Sequence, residues 1–233
     1  MTNQDPPRSP IDQAFLTNDP DAGQLILVRH GQQQWPDPDT STTGDWVDPP
    51  LSETGRRQAR SVGEYLAGEP VSAVYSSRLL RAHDTGLAVA GHHGHEVEII
   101  DELAEFHLFG ELDPTARAVD ILGPLRLEGV RQRFAQTRRW DVYPYSESSL
   151  SFRRRIGYAI EGIMTQHPGE TVVVACHGGV INVVMAEIIG IDVDYLFRPS
   201  HASVHRVRFN DHRRVIESLN EHTHLRAGGL LTY

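Results

Sequence analysis

Short apolar segments alternate along this chain with longer segments of helical periodicity, and this alternation restricts its fold more than any other feature. The segments at residues 24–29, 71–76 and 171–176 are rich in Ile, Leu and Val, as is typical of strands buried on both faces of a parallel sheet. Helical patterns occur at residues 52–67, 79–90, 114–139, 152–166 and 180–189. The order predicts an α/β protein, a three-layer α/β/α sandwich with a mainly parallel central sheet.

The remaining segments complete one domain flanked by two tails. Further strands are expected at residues 96–101, 203–209 and 214–219, the last two forming a hairpin. The polar residues 1–22 predict a flexible N-terminal tail, and residues 220–233 a C-terminal tail. The ordered domain then spans residues 23–219, with a helical, arginine-rich insert at about 112–142.

The charged residues of this chain narrow its chemistry. It has 233 residues with 22 arginines, no lysine and 31 acidic residues, which gives a formal charge of −9. Without lysine, pyridoxal-phosphate enzymes, class I aldolases and the common ATP sites are excluded. An anion has to be bound by arginine, histidine and backbone N–H groups. The negative charge argues against nucleic acid as a partner, because phosphate backbones attract basic surfaces.

Cysteine usage and hydropathy are typical of a cytoplasmic protein. The single cysteine, Cys176, excludes an intramolecular disulfide and a cysteine-based zinc site, and we expect it to be a buried apolar residue. No apolar run approaches the roughly 20 residues that cross a bilayer, and residues 1–21 hold no signal-peptide core. We therefore expect a cytoplasmic location and no membrane partner, while the oligomeric state stays open.

Two of the apolar strands end in histidine followed by glycine, at His30-Gly31 and at His177-Gly178. The carboxyl ends of parallel strands meet at one edge of a sheet, where ligands bind in open α/β folds. Glycine lets the backbone approach a ligand, and Gly178 opens a helix whose N-terminus favours an anion. The strand at residues 71–76 leads to Arg81 at the same edge. These residues predict a phosphate-sized anion site in which a neutral histidine attacks phosphorus.

Several motifs follow one another in a fixed order. They are Arg29-His30-Gly31, Leu51-Ser-Glu-Thr-Gly55 with Gln58-Ala59, the run from Tyr75 to Thr85, Glu147-Ser148 with Arg155, and His177-Gly-Gly-Val-Ile. Together they resemble the histidine phosphatase superfamily, in its phosphoglycerate-mutase-like branch, over about residues 24–210. The resemblance implies a phosphatase that hydrolyses phosphate monoesters through a phosphohistidine, with no metal or other cofactor, and with a small phosphorylated substrate as its partner.

The resemblance also implies a role for particular side chains. His30 is the nucleophile that becomes phosphorylated. The phosphoryl oxygens are held by Arg29, Arg81 and His177, next to the helix start at Gly178. Gln33 stands where the family often has serine or threonine, and its side chain can still hydrogen-bond a phosphoryl oxygen. The leaving oxygen takes its proton from an acid after the third strand, which we assign to Glu105, with Glu102 as the alternative. Glu105 precedes Gly110 by five residues, one more than the family pattern has.

Other positions depart from the family pattern. The mutases of the family bind a substrate carboxylate with a lysine and an arginine, and this chain has no lysine. Phe109 stands where the mutases have tyrosine, and Pro36 where the family often has asparagine. A phosphatase is therefore favoured. Trp46 lies in a mutase-like segment, so a cofactor-dependent phosphoglycerate mutase is the alternative, and a non-catalytic phospho-ligand binding module on this fold is a third.

Two further groups allow two interpretations each. The cluster of His92, His93 and His95 could suggest a metal site, but its glycine-rich surroundings favour a solvated loop. The insert carries six arginines: Arg117, Arg126, Arg131, Arg133, Arg138 and Arg139. They form either a solvated helix face or a lid that reads the substrate beyond its phosphate. Arg78, which follows the second strand, is expected to be an ordinary surface residue.

Overall fold

The computed structural model describes residues 9–37 and 39–233 and contains a central β-sheet. Its strands are β1 (Gly23–Arg29), β2 (Val71–Ser76), β3 (Val97–Ile99), β4 (Thr171–Cys176), β5 (Val204–Phe209) and β6 (Arg214–Glu221). The six strands lie in the order β3-β2-β4-β1-β5-β6. β1, β2, β3 and β4 pair in parallel, while β5 and β6 join β1 through antiparallel pairs. The expected mainly parallel sheet, closed by a hairpin, is confirmed.

The helices connect the strands in the predicted alternation. They are α1 (Pro10–Phe15), α2 (Glu53–Leu66), α3 (Leu80–His93), α4 (Ala118–Leu122), α5 (Pro124–Thr137), α6 (Ser149–Gln166), α7 (Gly178–Ile189) and α8 (Thr223–Arg226). The single helix expected at 114–139 is instead the pair α4 and α5. The break falls at Gly123, whose φ of +75° ends α4, and Pro124 then begins α5 because it fits the first turn of a helix.

Alternate residues of β1 supply the two apolar layers of the sandwich. Leu25 and Leu27 belong to a cluster on one face of the sheet, which includes Phe152 of α6 and Ile181 of α7. The next residues along the strand point to the opposite face, and their cluster contains side chains of α2 and α3. β1 is therefore buried on both faces, which explains its continuous apolar sequence and confirms the three-layer architecture.

Both segments expected to be tails contain packed structure. α1 is capped by Ser9, and Leu16 directly after it is buried; residues 1–8 lie outside the described part. At the other end, β6 continues to Glu221 and the buried side chains of Leu225 and Leu230 join the second apolar cluster. The tail boundaries at 22 and 220 are thus corrections, because isolated apolar anchors in short segments carry no periodic signal in the sequence.

Among the described helices, none combines the length and the apolar character that a bilayer crossing requires.

Candidate active site

The two histidines that end β1 and β4 lie side by side. Arg29 is paired with Cys176 in the parallel register of the two strands, so His30 and His177 follow at the same sheet edge. The backbone N–H of His30 donates to the carbonyl of Cys176 at 2.9 Å. The two imidazole ring centroids are 5.1 Å apart, which confirms that the strand ends bring these side chains together.

The imidazole of His30 is held in one tautomer. Its Nδ1 lies 2.7 Å from the carbonyl oxygen of Gly31. Because a carbonyl oxygen only accepts hydrogen bonds, Nδ1 carries the proton and Nε2 keeps its lone pair. Burial, followed by the charges of Arg81 and the proximity of His177 and Arg29, lowers the pKa of His30 well below its usual 6.5. His30 is therefore neutral and nucleophilic at physiological pH.

Two guanidinium groups flank His30. Arg29 donates from Nη1 to the carbonyl of Pro199, and Arg81 donates from Nη1 to the carbonyl of Val47 at 3.1 Å. Burial lowers the pKa of Arg29 to about 10 and also lowers the pKa of Arg81. The buried Nε atom of each finds no hydrogen-bond partner within the described residues. Both side chains thus keep donors available for an anion.

His177 and Gly178 lie at the junction of β4 and α7, where the ring of His177 neighbours that of His30. The fully buried His177 places Nε2 at 2.9 Å from Ser77 Oγ, while its buried Nδ1 has no partner among the described groups. Burial and then the charge of Arg81 lower the pKa of His177 well below 6.5. Gly178 begins α7, and a Cβ at this glycine would stand 3.6 Å from Arg29 Nε. Gly178 is therefore close to the guanidinium group of Arg29, and the charges of Arg81 and Arg29 act on His177.

Of the two candidate acids, only Glu105 lines the cavity. Glu102 is exposed and does not belong to the cavity wall. The Oε1 of Glu105 accepts from the N–H of Phe106 at 3.0 Å, and its Oε2 accepts from the N–H of Gly179 at 3.1 Å. A Cβ at Gly179 would stand 2.3 Å from Glu105 Oε1. The second glycine after His177 is thus required for the carboxyl group to dock against α7.

Arg155 fixes the segment that carries Glu105. Its guanidinium forms a two-pronged pair with Glu147, at 2.6 Å and 3.1 Å. It also donates to the carbonyls of Glu102, Ala104 and Glu105. The Glu147–Arg155 pair, which is part of a motif noted in the sequence, therefore holds the backbone around the candidate acid in place.

The loop after His30 rests on α2. Gln58 is fully buried and accepts from the N–H of Gln32 at 2.7 Å, while Ser52 Oγ donates to Gln32 Oε1 at 2.9 Å. A Cβ at Gly31 would stand only 2.4 Å from the carbonyl oxygen of Gly55. The Leu-Ser-Glu-Thr-Gly motif with its glutamine thus fixes the loop that follows His30. Gln33 lies on the cavity wall next to this contact.

The cavity in front of His30 measures about 580 Å³. Its wall includes Arg29, His30, Gln33, Arg81 and Glu105, and further Trp35, Trp46, Arg78, His107, Leu108 and Trp140. None of the six insert arginines belongs to this wall, so the hypothesis of an arginine lid is not supported. Trp140 is the residue that the arginine-rich insert contributes. Arg78 is exposed, as predicted, but it lies at the cavity, which the sequence analysis missed.

His201 is a neighbour of His30 that the sequence did not indicate. Its ring centroid lies 5.8 Å from that of His30, and its Nδ1 lies 2.9 Å from Thr232 Oγ1. Burial, and then the charge of Arg29, lower the pKa of His201 to about 3. It precedes β5 in an irregular segment, where no strand-end pattern distinguishes it from the other histidines of the chain.

The two remaining sequence hypotheses concern metal ligands and the cysteine. Within residues 9–37 and 39–233, no group of three or more His, Cys, Asp or Glu side chains is arranged to hold a metal ion. The cluster of His92, His93 and His95 therefore forms no such group. Cys176 is fully buried, as expected, and burial raises the pKa of its thiol.

Comparisons with known proteins define the class. The chain matches the histidine phosphatase superfamily (branch 1) over residues 25–222, and it belongs to this superfamily. The structure of Bacillus stearothermophilus YhfR superposes with a TM-score of 0.72 at 24% identity, covering 87% of this chain and 99% of that one. This likeness supports the same fold.

Two curated relatives illustrate the activities found among similar sequences. The metal-independent phosphoserine phosphatase of Arabidopsis thaliana is 30% identical over 221 residues, which is 89% of this chain and 85% of the relative. The 2,3-bisphosphoglycerate-dependent phosphoglycerate mutase 2 of Gloeobacter violaceus is 33% identical over 170 residues, which is 70% of this chain and 74% of that protein. Relatives of this chain therefore include both a phosphatase and a phosphoglycerate mutase.

Proposed function

We propose that this phosphatase hydrolyses monoesters of small phosphorylated molecules through a phosphohistidine on His30, without a metal ion. The observation that carries the proposal is the state of His30. It is buried, neutral and fixed by Gly31 so that Nε2 keeps its lone pair. It also lies beside two arginines with spare donors. A neutral nucleophile among fixed cations is suited to attack a phosphate dianion.

In the first step, the lone pair of His30 Nε2 attacks phosphorus. The N–P bond forms while the bond from phosphorus to the ester oxygen breaks. Glu105, in its protonated form, gives its proton to that oxygen, so that an alcohol leaves. Arg29, Arg81, His177, the N-terminus of α7 at Gly178, and Gln33 hold the three equatorial oxygens, whose charge the arginines stabilise.

In the second step, water removes the phosphoryl group. The carboxylate of Glu105 now accepts a proton from water, whose oxygen attacks phosphorus as the N–P bond breaks. Inorganic phosphate leaves, His30 regains its lone pair and Glu105 is again protonated. The sum of both steps is one monoester and one water converted into one alcohol and one phosphate. No external reductant, oxidant or cofactor is required.

The independence from metals is supported by the charge already present. Arg29 and Arg81 provide two fixed positive charges at the phosphate position, the role that Mg²⁺ fills in other phosphoryl-transfer enzymes. A relative with 30% identity bears the name metal-independent phosphoserine phosphatase. The net charge of −9 supports a small molecule rather than nucleic acid as the partner. The single cysteine supports a cytoplasmic location.

The direct test is a panel of phosphate monoesters assayed with and without EDTA. We expect turnover by the wild type that EDTA leaves unchanged, and complete loss of turnover in His30→Ala. The exposed His92 offers a matched control, and His92→Ala should keep full activity. Activity that disappears on chelation and returns with a divalent cation would contradict the metal-independent mechanism.

The second candidate, a phosphoglycerate mutase, is favoured by one observation, the presence of Trp46 on the cavity wall within a mutase-like segment. It is disfavoured because the chain lacks lysine for the carboxylate. Conversion of 3- to 2-phosphoglycerate in the presence of 2,3-bisphosphoglycerate would support the mutase. Binding of vanadate without turnover of any monoester would instead indicate a non-catalytic binding module.

A further inference from the structure

We propose that Trp35 and Trp46 form an aromatic platform that binds a ring in the leaving group of the substrate. The substrate class is then a phosphate monoester whose alcohol carries a sugar or a heteroaromatic ring, rather than an open-chain phosphate. The inference rests on the proposed function, since it assigns the part of the substrate that lies beyond the phosphoryl group.

The two indoles form a continuous aromatic surface on the cavity wall. Their ring centroids are 6.1 Å apart and their planes are inclined by 56°. Both line the same cavity as His30 and Arg81. Trp35 is 61% exposed and Trp46 40% exposed. Two large apolar side chains left open beside a reactive group mark a binding surface, because covering them with a ligand removes apolar area from water.

The loop that carries Trp46 is held in place before any ligand arrives. The N–H groups of Thr43 and Gly44 donate to the carbonyls of Ala116 and Pro114, at 2.8 Å and 2.9 Å. The indole N–H of Trp46 donates to Ser41 Oγ at 2.9 Å. The indole is thus preorganised, so that stacking a ring on it costs little additional conformational entropy.

The same loop is joined to the phosphate-binding residues. The carbonyl of Val47 accepts from Arg81 Nη1 at 3.1 Å. The carboxylate of Asp48 accepts from the N–H of Leu80 at 2.8 Å and lies 3.8 Å from Arg81. Trp46 directly precedes these two residues. The distance from the platform to the phosphoryl position is therefore fixed by the fold.

Trp35 is held by the loop that follows His30. The neighbouring Gln34 donates its N–H to the carbonyl of Pro50 at 2.8 Å, and Gln33 forms a bridge with Leu51. One indole is thus tied to the segment of His30 and the other to Arg81. A ligand that contacts both is positioned relative to both sides of the phosphate site.

The cavity also offers polar groups for the edge of such a ring. Arg78 Nε and Asp101 Oδ1 are 3.8 Å apart, and both side chains are exposed at the cavity wall. This distance is too long for a hydrogen bond, so both groups retain capacity for substrate hydroxyl or amino groups. A ring with an apolar face and a polar edge, such as a sugar or a nucleobase, matches this combination.

Steady-state kinetics of tryptophan variants test the platform. The ring-bearing substrates are glucose 6-phosphate, AMP and p-nitrophenyl phosphate, and the open-chain substrates are phosphoserine and 3-phosphoglycerate. We expect Trp46→Leu and Trp35→Leu to raise KM for ring-bearing substrates by about fivefold to 100-fold. The values of kcat, and KM for open-chain substrates, should stay within about twofold. Trp46→Phe should raise KM for ring-bearing substrates less than Trp46→Leu does, because a smaller aromatic face remains.

A matched control separates this effect from a general loss of an exposed aromatic residue. Tyr158 of α6 is 71% exposed and lies outside the cavity wall, so Tyr158→Leu should change no kinetic constant. The thermal midpoint of each variant verifies that it is folded. A larger increase in KM for glucose 6-phosphate than for AMP would indicate a sugar as the natural ring, and the reverse would indicate a nucleobase.

Binding of phosphonate analogues separates the platform from the phosphatase reaction. Titration calorimetry with methylene phosphonates of glucose 6-phosphate, AMP and phosphoserine needs no turnover. Tighter binding of the ring-bearing analogues, lost in Trp46→Leu, would support the platform even if no monoester were hydrolysed, in which case the proposed function alone would fail. Equal loss for ring-bearing and open-chain ligands, or no wild-type preference for rings in either assay, would overturn the platform.

Discussion

The carboxyl group of Glu105 accepts a hydrogen bond from the N–H of Gly179 at 3.1 Å, which ties the candidate acid to the helix that follows His177. His30 follows β1 and His177 follows β4, so this contact links the candidate acid to the same sheet edge as the two histidines. A side chain added at Gly179 should therefore disturb the acid.

Gly179→Ala should displace Glu105. The added Cβ would stand 2.3 Å from Glu105 Oε1 and 3.2 Å from Phe152 Cζ, and the carboxyl group is the easier of the two to move. We expect kcat to fall by about 100-fold or more, which is the lower range for loss of a general acid. Gly157→Ala is the matched control, because a Cβ there meets nothing within 4 Å. Similar activity of both variants would exclude a functional role of this contact.

Glu105→Gln should affect substrates according to their leaving group. Alkyl monoesters need a proton on the departing oxygen, so kcat should fall by about 10²- to 10⁴-fold. The kcat for p-nitrophenyl phosphate should fall much less, because nitrophenolate leaves without a proton. Glu102→Gln should leave both rates unchanged, since Glu102 lies away from the cavity wall. If Glu102→Gln gave the selective loss, the assignment of the acid would pass to Glu102.

Thr232 should position His201, which neighbours His30, and Gln58, which holds the loop after His30. Gln58 Nε2 donates to Thr232 Oγ1 at 2.8 Å, so the hydroxyl proton is free to donate to His201 Nδ1 at 2.9 Å. Thr232→Val keeps the shape and removes both contacts. We expect kcat to fall by about two- to tenfold with KM unchanged, and Thr232→Ser to restore it. An equal loss in Thr232→Ser would assign the effect to packing of the methyl group.

Buried neutral histidines should destabilise the fold in acid. Burial lowers the pKa of His205 to about 3, whereas the unfolded side chain titrates near 6.5. Below pH 6.5 the unfolded chain therefore binds a proton that the folded chain excludes. Each such histidine lowers the free energy of unfolding by about 1.4 kcal/mol per pH unit down to its folded pKa, and above pH 6.5 its contribution is constant.

Urea unfolding at pH 7 and pH 4.5 checks this effect. His205→Gln should be less stable than the wild type at pH 7, and the difference should narrow at pH 4.5, because the variant lacks the group that titrates. His92→Gln, at an exposed position, should follow the wild type at both values. A pH dependence of His205→Gln parallel to that of the wild type would contradict the assigned shift.

The sequence was most informative where burial leaves a strong pattern. The apolar strands, the histidines at their ends and the layered architecture follow from runs such as 24–29, because a strand buried on both faces is continuously apolar. Arg81 could be placed at the site because it follows a buried strand. The sequence assigned the acid to Glu105 with Glu102 as the alternative. The contacts of Arg155 with the backbone of this segment, which the sequence does not reveal, leave only Glu105 of the two on the cavity wall.

Residues that reach the site from irregular segments left no signal in the sequence. His201, Trp35 and Arg78 lie in loops or at a strand exit, and their approach to His30 depends on long-range contacts such as that of His201 with Thr232. The arginine-rich insert shows the opposite case. Its composition suggested a lid, but none of its six arginines belongs to the cavity wall, to which the insert contributes Trp140.

The central claim is that His30 Nε2 carries the phosphoryl group during turnover. Rapid quenching of the wild type with a ³²P-labelled monoester, followed by alkaline denaturation and peptide mapping, measures this directly. We predict alkali-stable, acid-labile phosphate on the peptide that contains His30, and none in His30→Ala. Sustained turnover by His30→Ala, or wild-type turnover with the label on another residue, would contradict the account.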